Sequence, residues 1–169
     1  MHKRIATAAG LLAAILTTLP ALSRANDSQA ERASLTGLPA ISVVVEGLAP
    51  VAEKNGLREA DLHKAIELRL RQAGITVTPD ADAYLYAQVI VGDPGGASSS
   101  LAYVVTVSLM QEVTLPRDAY ARIPLQCPTW WLNTLGLVSP QGLSRVVQER
   151  TGEFVDRFVK AYQAVNPKP

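Results

Sequence analysis

Residues 101–115, LAYVVTVSLMQEVTL, decide the fold, because the side chains along this stretch alternate between two unlike sets. One set is wholly apolar and consists of Tyr103, Val105, Val107 and Leu109. The other set is mixed and consists of Val104, Thr106, Ser108 and Met110. Successive residues of a β-strand point to opposite faces. The pattern therefore predicts a long strand in an antiparallel sheet that is covered on one face.

A second strand is predicted at residues 84–91, YLYAQVIV, on the N-terminal side of this stretch. The connection between the two strands is GDPGGASSS (92–100), whose glycines and proline are typical of a turn. Phosphate-binding loops are also rich in glycine, but this segment lacks their glycine spacing and does not open a helix. We therefore predict a β-hairpin with residues 92–100 at its tip.

Shorter strands are predicted on either side of this hairpin. The β-branched segments ISVVVEGL (41–48) and ITVT (75–78) favour extended structure, and residues 129–135 form a further strand candidate. Residues 117–128 are predicted to be irregular, because the prolines at 124 and 128 cannot donate ladder hydrogen bonds. The sheet should therefore contain four or five strands.

Two amphipathic helices are predicted from apolar residues that recur at intervals of three and four. The first helix covers residues 57–73, with Gly74 available for its C-terminal turn. Its apolar face consists of Leu62, Ala65, Ile66, Leu70 and Ala73. The second begins after Ser139 and Pro140 and ends near Asn166. Its apolar face consists of Leu143, Val146, Val147, Phe154, Val155, Phe158 and Tyr162.

These elements predict an α+β fold for residues 39–166, which we interpret as a single domain. The architecture expected is a two-layer sandwich, with two amphipathic helices on one face of a mostly antiparallel sheet of four or five strands. Residues 26–38 are polar and small and show no periodic apolar face, so they are predicted to be a flexible lead-in.

Residues 1–25 are predicted to be a secretory signal peptide. Lys3 and Arg4 give the chain a basic start, and no charged side chain follows in residues 5–22. A short basic segment followed by an uncharged apolar run is typical of a signal peptide. The mature protein is therefore expected in a periplasm or outside the cell.

The predicted cleavage site lies between Ala25 and Asn26, because Ser23 and Ala25 place small side chains three and one residues before it. A membrane anchor is the alternative for this run, but Pro20 interrupts it and no stop-transfer charge cluster follows. Stable membrane insertion after cleavage is therefore not expected. A lipoprotein is excluded, since the single cysteine, Cys127, is far from the cleavage site.

The charge of the chain argues against nucleic acid as a partner. The full sequence has 16 basic and 15 acidic residues, a formal net charge of +1. Removal of Lys3, Arg4 and Arg24 with the leader changes this to −2. Proteins that bind nucleic acid or anionic membranes usually carry a basic patch instead.

Catalytic and metal-binding residues are few. Cys127 and His63 could form a nucleophilic pair only if the fold brought them together, since no motif surrounds Cys127. One histidine and one cysteine are too few for a common zinc site, so neither a metal nor a cofactor is expected. The acids Glu46, Glu53 and Asp61 near the end of the first strand are equally typical of solvated surface.

Trp130 and Trp131 are the strongest candidates for contact with a partner or ligand, together with the polar residues Thr129 and Asn133. Adjacent residues of a strand point to opposite faces, so the two indoles cannot share one core. We expect one indole beneath a helix and the other towards solvent, although the second helix or the lead-in could cover both. The tyrosines at 84, 86 and 103 are interpreted as sheet packing.

The segments ELRLRQAGI (67–75) and AYLY (83–86), followed by the 101–115 strand and TWW (129–131), resemble a group of small exported bacterial proteins. This resemblance covers nearly all of the mature chain and implies no particular activity. In its order of strands and helices the chain is also similar to the N-terminal domain of TolB and to the curli secretion lipoproteins. The lipid-anchoring cysteine of the latter is absent here.

These observations favour a non-enzymatic periplasmic or secreted accessory module that contacts an envelope protein, through an open sheet edge or the Trp130 region. The alternative is a protein that binds a small molecule or saccharide, or hydrolyses it, using Trp130 or Trp131 and acids such as Glu46 or Asp61. A third possibility is an oligomer joined by Cys127 or by sheet edges.

Overall fold

The computed structural model describes residues 23–95, 99–114 and 124–167. The strands are β1 (Ser23–Asn26), β2 (Ser42–Val45), β3 (Tyr84–Gly92), β4 (Leu101–Thr114) and β5 (Pro124–Val138). The helices are α1 (Gln29–Ala33), α2 (Pro50–Lys54), α3 (Glu59–Gln72) and α4 (Leu143–Val165), and a short 3-10 turn at Pro140–Gly142 precedes α4. The predicted signal peptide lies outside the described residues except for its last three, which fall in β1.

The strands form one sheet in the order β1-β5-β4-β3-β2. β3, β4 and β5 are long and antiparallel, and β1 pairs antiparallel with β5 at one edge. β2 pairs parallel with β3 at the other edge, because the chain crosses over through α2 and α3 between these two strands. The predicted hairpin is confirmed by the antiparallel pairing of β3 with β4.

The hydrophobic core lies between one face of the sheet and the helices α3 and α4. Every second residue of the long strands points into it, in agreement with the apolar set that includes Val105, Val107 and Leu109. Trp130 is completely buried and makes an edge-to-face contact with Phe158 of α4, with ring centroids 5.2 Å apart. The predicted α+β fold, with helices on one face of a mostly antiparallel sheet, is confirmed.

A β-bulge in β5 decides which side chains face the core. Leu109 pairs with Trp130 and Met110 pairs with Pro128, so Thr129 is an extra residue without a partner across the ladder. A shift of one residue exchanges the two faces of a strand. The bulge therefore places Trp130 in the core and the following residue, Trp131, on the opposite face.

The prediction that residues 117–128 are irregular is wrong for residues 124–128, which belong to β5. Pro124 is the first residue of the strand and Pro128 lies beside the bulge, and both are positions where a missing N–H is tolerated. The ITVT segment contributes only an isolated parallel bridge between Val77 and Ile41. A further helix, α2, begins at Pro50, because proline is favourable at the first helical position.

The segment predicted as a flexible lead-in contains α1 and contributes to the core. Ser28 and Glu31 form a capping box, in which each side chain accepts a hydrogen bond from the backbone of the other residue. Leu35, just after the helix, is completely buried. Leu35 is a single buried apolar residue after a short helix, and a single residue produces no periodic pattern. The sequence pattern therefore did not indicate that this segment reaches the core.

Candidate functional site

The two faces of the sheet differ in what covers them. The helices pack on the inner face, whereas no described helix packs on the opposite side, which we call the outer face. The cross-strand register arranges the outer face in rows. From one end to the other the rows on β2 to β5 are Ser42–Tyr84–Met110–Pro128, then Val44–Tyr86–Ser108–Trp131, then Gln88–Thr106–Asn133, then Ile90–Val104–Leu135, and last Gly92–Ala102–Leu137.

The first three rows enclose a shallow open cavity of about 370 Å³, which we call the outer groove. Its lining consists of Tyr84, Tyr86, Gln88, Thr106, Ser108, Met110, Pro128, Trp131 and Asn133. The rings of Tyr84 and Tyr86 meet edge to face, with centroids 6.5 Å apart. A concave, mostly apolar surface with a few polar groups is the usual form of a ligand site.

Tyr86 is fixed within the groove by an acid at its rim. Burial is the main cause that raises the pKa of Tyr86 to about 12, and a hydrogen bond to the Glu46 carboxylate and the charge of that group raise it further. The phenol therefore stays neutral and donates to Glu46. This is the one candidate acid from the sequence that the structure brings next to the groove.

The opposite end of the outer face is aliphatic and exposed. Ile90 is 53% exposed, Leu135 58% and Leu137 69%. Large apolar side chains that lie together in solvent are typical of interaction surfaces. We call Ile90, Val104, Leu135 and Leu137 the aliphatic end.

The aliphatic end adjoins a stretch of β5 whose outer edge no strand of the described residues covers. β1 pairs with β5 only from Trp131 to Thr134, and no described strand pairs with Leu135–Val138 on that side. β5 contains no charged side chain in its 15 residues. Natural edge strands are usually protected by charges, so this edge lacks a common safeguard against pairing with another strand.

The predicted contact residues divide between the two faces. Trp131 and Asn133 line the outer groove, as the expectation of opposite faces for the two indoles requires. Trp130 is buried, and its indole N–H donates to Asp27 Oδ1 at 3.2 Å. Thr129 is held by Gln111, whose Nε2 donates to Thr129 Oγ1 at 2.6 Å. Trp130 and Thr129 therefore serve the fold, while Trp131 and Asn133 remain available to a ligand.

Asp27 is the centre of a small anchor at the start of the chain's predicted mature part. Its two carboxylate oxygens each accept a hydrogen bond from Arg32, both at 2.7 Å. The bond from Arg32 lowers the pKa of Asp27, and the Trp130 indole lowers it further, against the opposing effect of burial. This anchor ties α1 to the sheet.

Cys127 and His63 lie in different parts of the fold. Cys127 is in β5, whereas His63 Nε2 is 3.2 Å from the carbonyl oxygen of Val43 in β2. The sheet order places β4 and β3 between them, a separation of about 14 Å at the usual strand spacing. The pair cannot act as nucleophile and base in this arrangement. Glu53 and Asp61 lie on α2 and α3, away from the outer groove.

Of the three tyrosines that the sequence pattern assigns to sheet packing, Tyr103 is buried on the inner face. The two other tyrosines line the outer groove. Their alternation with Leu85 and Ala87 would have placed them together on the face away from the core. Their availability could not be predicted, because it depends on which face the helices leave uncovered.

Within the described part of the chain, no three His, Cys, Asp or Glu side chains come together as metal ligands. None of the helices between residues 23 and 167 combines the length and the apolar composition that a bilayer crossing requires.

No protein-family model and no curated protein matches the sequence. Several solved structures are distantly similar to the chain. The PelC dodecamer from Paraburkholderia phytofirmans is 16% identical, with a TM-score of 0.44, and the match covers 85% of this chain and 97% of that one. A minor lipoprotein from Acinetobacter baumannii is 11% identical, with a TM-score of 0.41 and coverage of 76% and 94%.

The rare lipoprotein B from Shewanella oneidensis is 15% identical, with a TM-score of 0.36, and the match covers 75% of this chain and 96% of that one. These likenesses are too distant to indicate a function. The function has to be inferred from this chain's own surface.

Proposed function

We propose that the chain is a non-enzymatic binding module of the periplasm or the cell exterior, which contacts an envelope protein through the open edge of β5. The observation that carries this proposal is the segment Leu135–Val138. It is an uncharged strand edge without a described partner, and it bears the two most exposed leucines of the sheet.

An open edge of this kind binds an extended segment of a partner by adding it to the sheet. Backbone hydrogen bonds supply affinity, and side chains at every second position of the added strand supply specificity. On the outer face, such a strand would lie beside Leu135 and Leu137. The partner segment should therefore carry apolar side chains on that face.

The remaining support comes from the leader and from the scarcity of catalytic groups. The N-terminal sequence has the features of an export signal, so a partner would be met in the envelope or outside the cell. Cys127 and His63, the residues best suited to nucleophilic chemistry, are separated by the width of two strands. Binding is therefore the activity that the described surface favours.

The proposal can be tested by photo-crosslinking in the cell that exports the protein. A photoreactive amino acid at position 137 should give a discrete crosslinked product with an envelope protein. The same amino acid at position 68 is the matched control, because Leu68 is 57% exposed but lies on α3. Leu135→Lys should abolish the product, since an inserted charge opposes strand addition, whereas Leu68→Lys should not.

Two outcomes of the crosslinking experiment would contradict the proposal. No product from position 137, or equal products from positions 137 and 68, would show that the β5 edge is not the contact. Circular dichroism of Leu135→Lys establishes that the sheet is retained, which is expected because the side chain is on the exposed face.

A further inference from the structure

The outer groove has the shape of a trough, which follows from the sizes of the side chains in its rows. In the central row the small Ser108 lies between two large aromatic residues, Tyr86 and Trp131. Neighbouring strands are about 4.8 Å apart, so these two residues stand about 10 Å apart across β4. The rings therefore form walls on either side of a floor at Ser108, which is buried and whose hydroxyl donates to Met110 Sδ at 3.9 Å.

The next row supplies the polar groups of the trough. Gln88 and Asn133 flank Thr106, so two carboxamides stand on either side of a second hydroxyl. Each carboxamide both donates and accepts hydrogen bonds. Tyr84, Met110 and Pro128 extend the apolar wall at the other end. Rings, amides and hydroxyls thus occur together over three adjacent rows.

The charge of the groove restricts its ligand. None of its described lining residues carries a formal charge. The nearest acid that we identify, Glu46, accepts the hydrogen bond of Tyr86 at the rim. Among the lining residues whose side chains the structure describes, an anionic ligand would meet no compensating cation, and it would meet the Glu46 carboxylate at the rim, which is unfavourable in a partly desolvated site. The groove is therefore suited to a neutral ligand with many hydroxyl or amide groups.

We infer that the outer groove binds a neutral oligosaccharide of pyranose rings whose hydroxyls are equatorial. Such a ring has apolar C–H faces, which pack against aromatic walls, and a polar rim, which matches the amides and hydroxyls of the next row. Tyr and Trp suit this task because each combines an apolar body with a polar tip. The inference is independent of the protein contact proposed for the β5 edge.

Isothermal titration calorimetry of the exported protein tests the ligand class. Cellohexaose and fully N-acetylated chitohexaose are the neutral probes, and a β-1,4-linked hexamer of glucuronic acid, whose ring hydroxyls are also equatorial, is the anionic probe of the same length. We expect saturable binding of at least one neutral probe, and binding of the anionic hexamer that is weaker by about tenfold or more. Absence of binding by both neutral probes, or tighter binding of the anionic hexamer, would overturn the inference.

Substitutions test the location. Trp131→Ala should weaken binding of the neutral probe by about tenfold or more, and Trp131→Phe should retain part of the affinity because it keeps a ring. Gln88→Ala should weaken binding by about threefold to tenfold through the loss of one or two hydrogen bonds. Leu135→Ala is the matched control, because it removes a side chain from the same face and the same strand outside the groove.

Equal affinity of Trp131→Ala and the unsubstituted protein would place any bound sugar elsewhere. If Trp131→Ala does not fold, as judged by circular dichroism, Trp131→Phe and Gln88→Ala decide the location. Two variants distinguish sugar binding in the outer groove from the protein contact proposed at the β5 edge. Leu135→Lys should leave sugar binding unchanged, and Trp131→Ala should leave the crosslink at position 137 intact.

Discussion

The inner and outer faces of the sheet are built from alternate residues of the same strands, yet they differ in almost every physical property. On the inner face of β5, Trp130 and Leu132 are completely buried against the helices. On the outer face of the same strand, Trp131 is only half-buried, and Leu135 and Leu137 are largely in solvent. Both faces belong to the same hydrogen-bonded strands. The difference in burial therefore arises from the helices, which pack on the inner face.

This difference separates residues that stabilise the fold from residues that are available for binding. Burial of apolar surface contributes about 25 cal/mol per Å², and the inner face gains nearly all of that contribution. The outer face retains three aromatic rings and two exposed leucines, Leu135 and Leu137, that are not part of the buried core. Stability measurements should therefore distinguish the faces residue by residue.

The largest contrast is expected between the two adjacent tryptophans. Trp130→Ala should lower the free energy of unfolding by about 3–5 kcal/mol, because it leaves a cavity beside Phe158 and removes one of the hydrogen bonds that Asp27 accepts. Trp131→Ala should lower it by less than about 1 kcal/mol. Urea denaturation of both variants measures this difference, and similar losses for the two would mean that the outer indole is part of a core.

A smaller effect is expected at the anchor of α1. Asp27→Asn should lower the free energy of unfolding at pH 7 by about 1–2 kcal/mol, since it removes a charged acceptor from Arg32 and Trp130. The pKa of Asp27 is lowered in the folded state. Its stabilising contribution is therefore present at neutral pH and is lost as the pH falls below its ordinary value of 3.8.

The stabilities of Asp27→Asn and the unsubstituted protein should accordingly converge in acid. Urea denaturation at several pH values below neutrality measures this convergence. Arg32→Gln is a useful companion variant, because it removes the first cause of the pKa shift and leaves the indole contact. A difference that stays constant down to low pH would contradict the assigned role of the carboxylate.

The smallest effect is expected on the outer face, at Tyr86. Its pKa is raised from 10.0 to about 12, so the folded state favours the neutral phenol. The stability that this shift provides is present below pH 10 and is lost as the pH rises from 10 towards 12. At pH 7, Tyr86→Phe should change the free energy of unfolding by less than about 1 kcal/mol.

Ultraviolet titration of tyrosinate checks this prediction. In the folded protein Tyr86 should ionise at a higher pH than a phenol with an ordinary pKa. The Tyr86→Phe variant should lack this ionisation at high pH. Glu46→Gln should lower the pKa of Tyr86, because it removes the charge of the hydrogen-bond acceptor. An unchanged titration in Glu46→Gln would contradict the contact at the rim of the groove.

The alternation in residues 101–115 was sufficient to predict the central strand, the hairpin and a sheet covered on one face. The spacing in residues 57–73 likewise predicted α3. In both cases the spacing of the apolar residues in the sequence matches the spacing of the side chains that are buried. The wrong prediction concerned residues 124–128, where the prolines suggested a break but occupy the start of a strand and the side of a bulge.

The candidate site was less predictable for a related reason. That adjacent indoles point to opposite faces follows from strand geometry alone. Which of them is buried depends on Thr129, an extra residue that is defined only by pairing with β4. The groove also depends on three strands aligning Tyr86, Ser108 and Trp131 in one row. Such register is a property of the assembled sheet and has no local signal.

The short strand β1 has a consequence for the order of events in biogenesis. The predicted scissile bond, between Ala25 and Asn26, lies inside β1, where these residues pair with Leu132 and Trp131. A protease must bind its substrate as a free extended segment, so a polypeptide that folds before processing conceals its own cutting site. Cleavage at this bond would remove Ser23, Arg24 and Ala25 from β1, so their partners Leu132, Asn133 and Thr134 would join the unpaired edge of β5 in the processed chain.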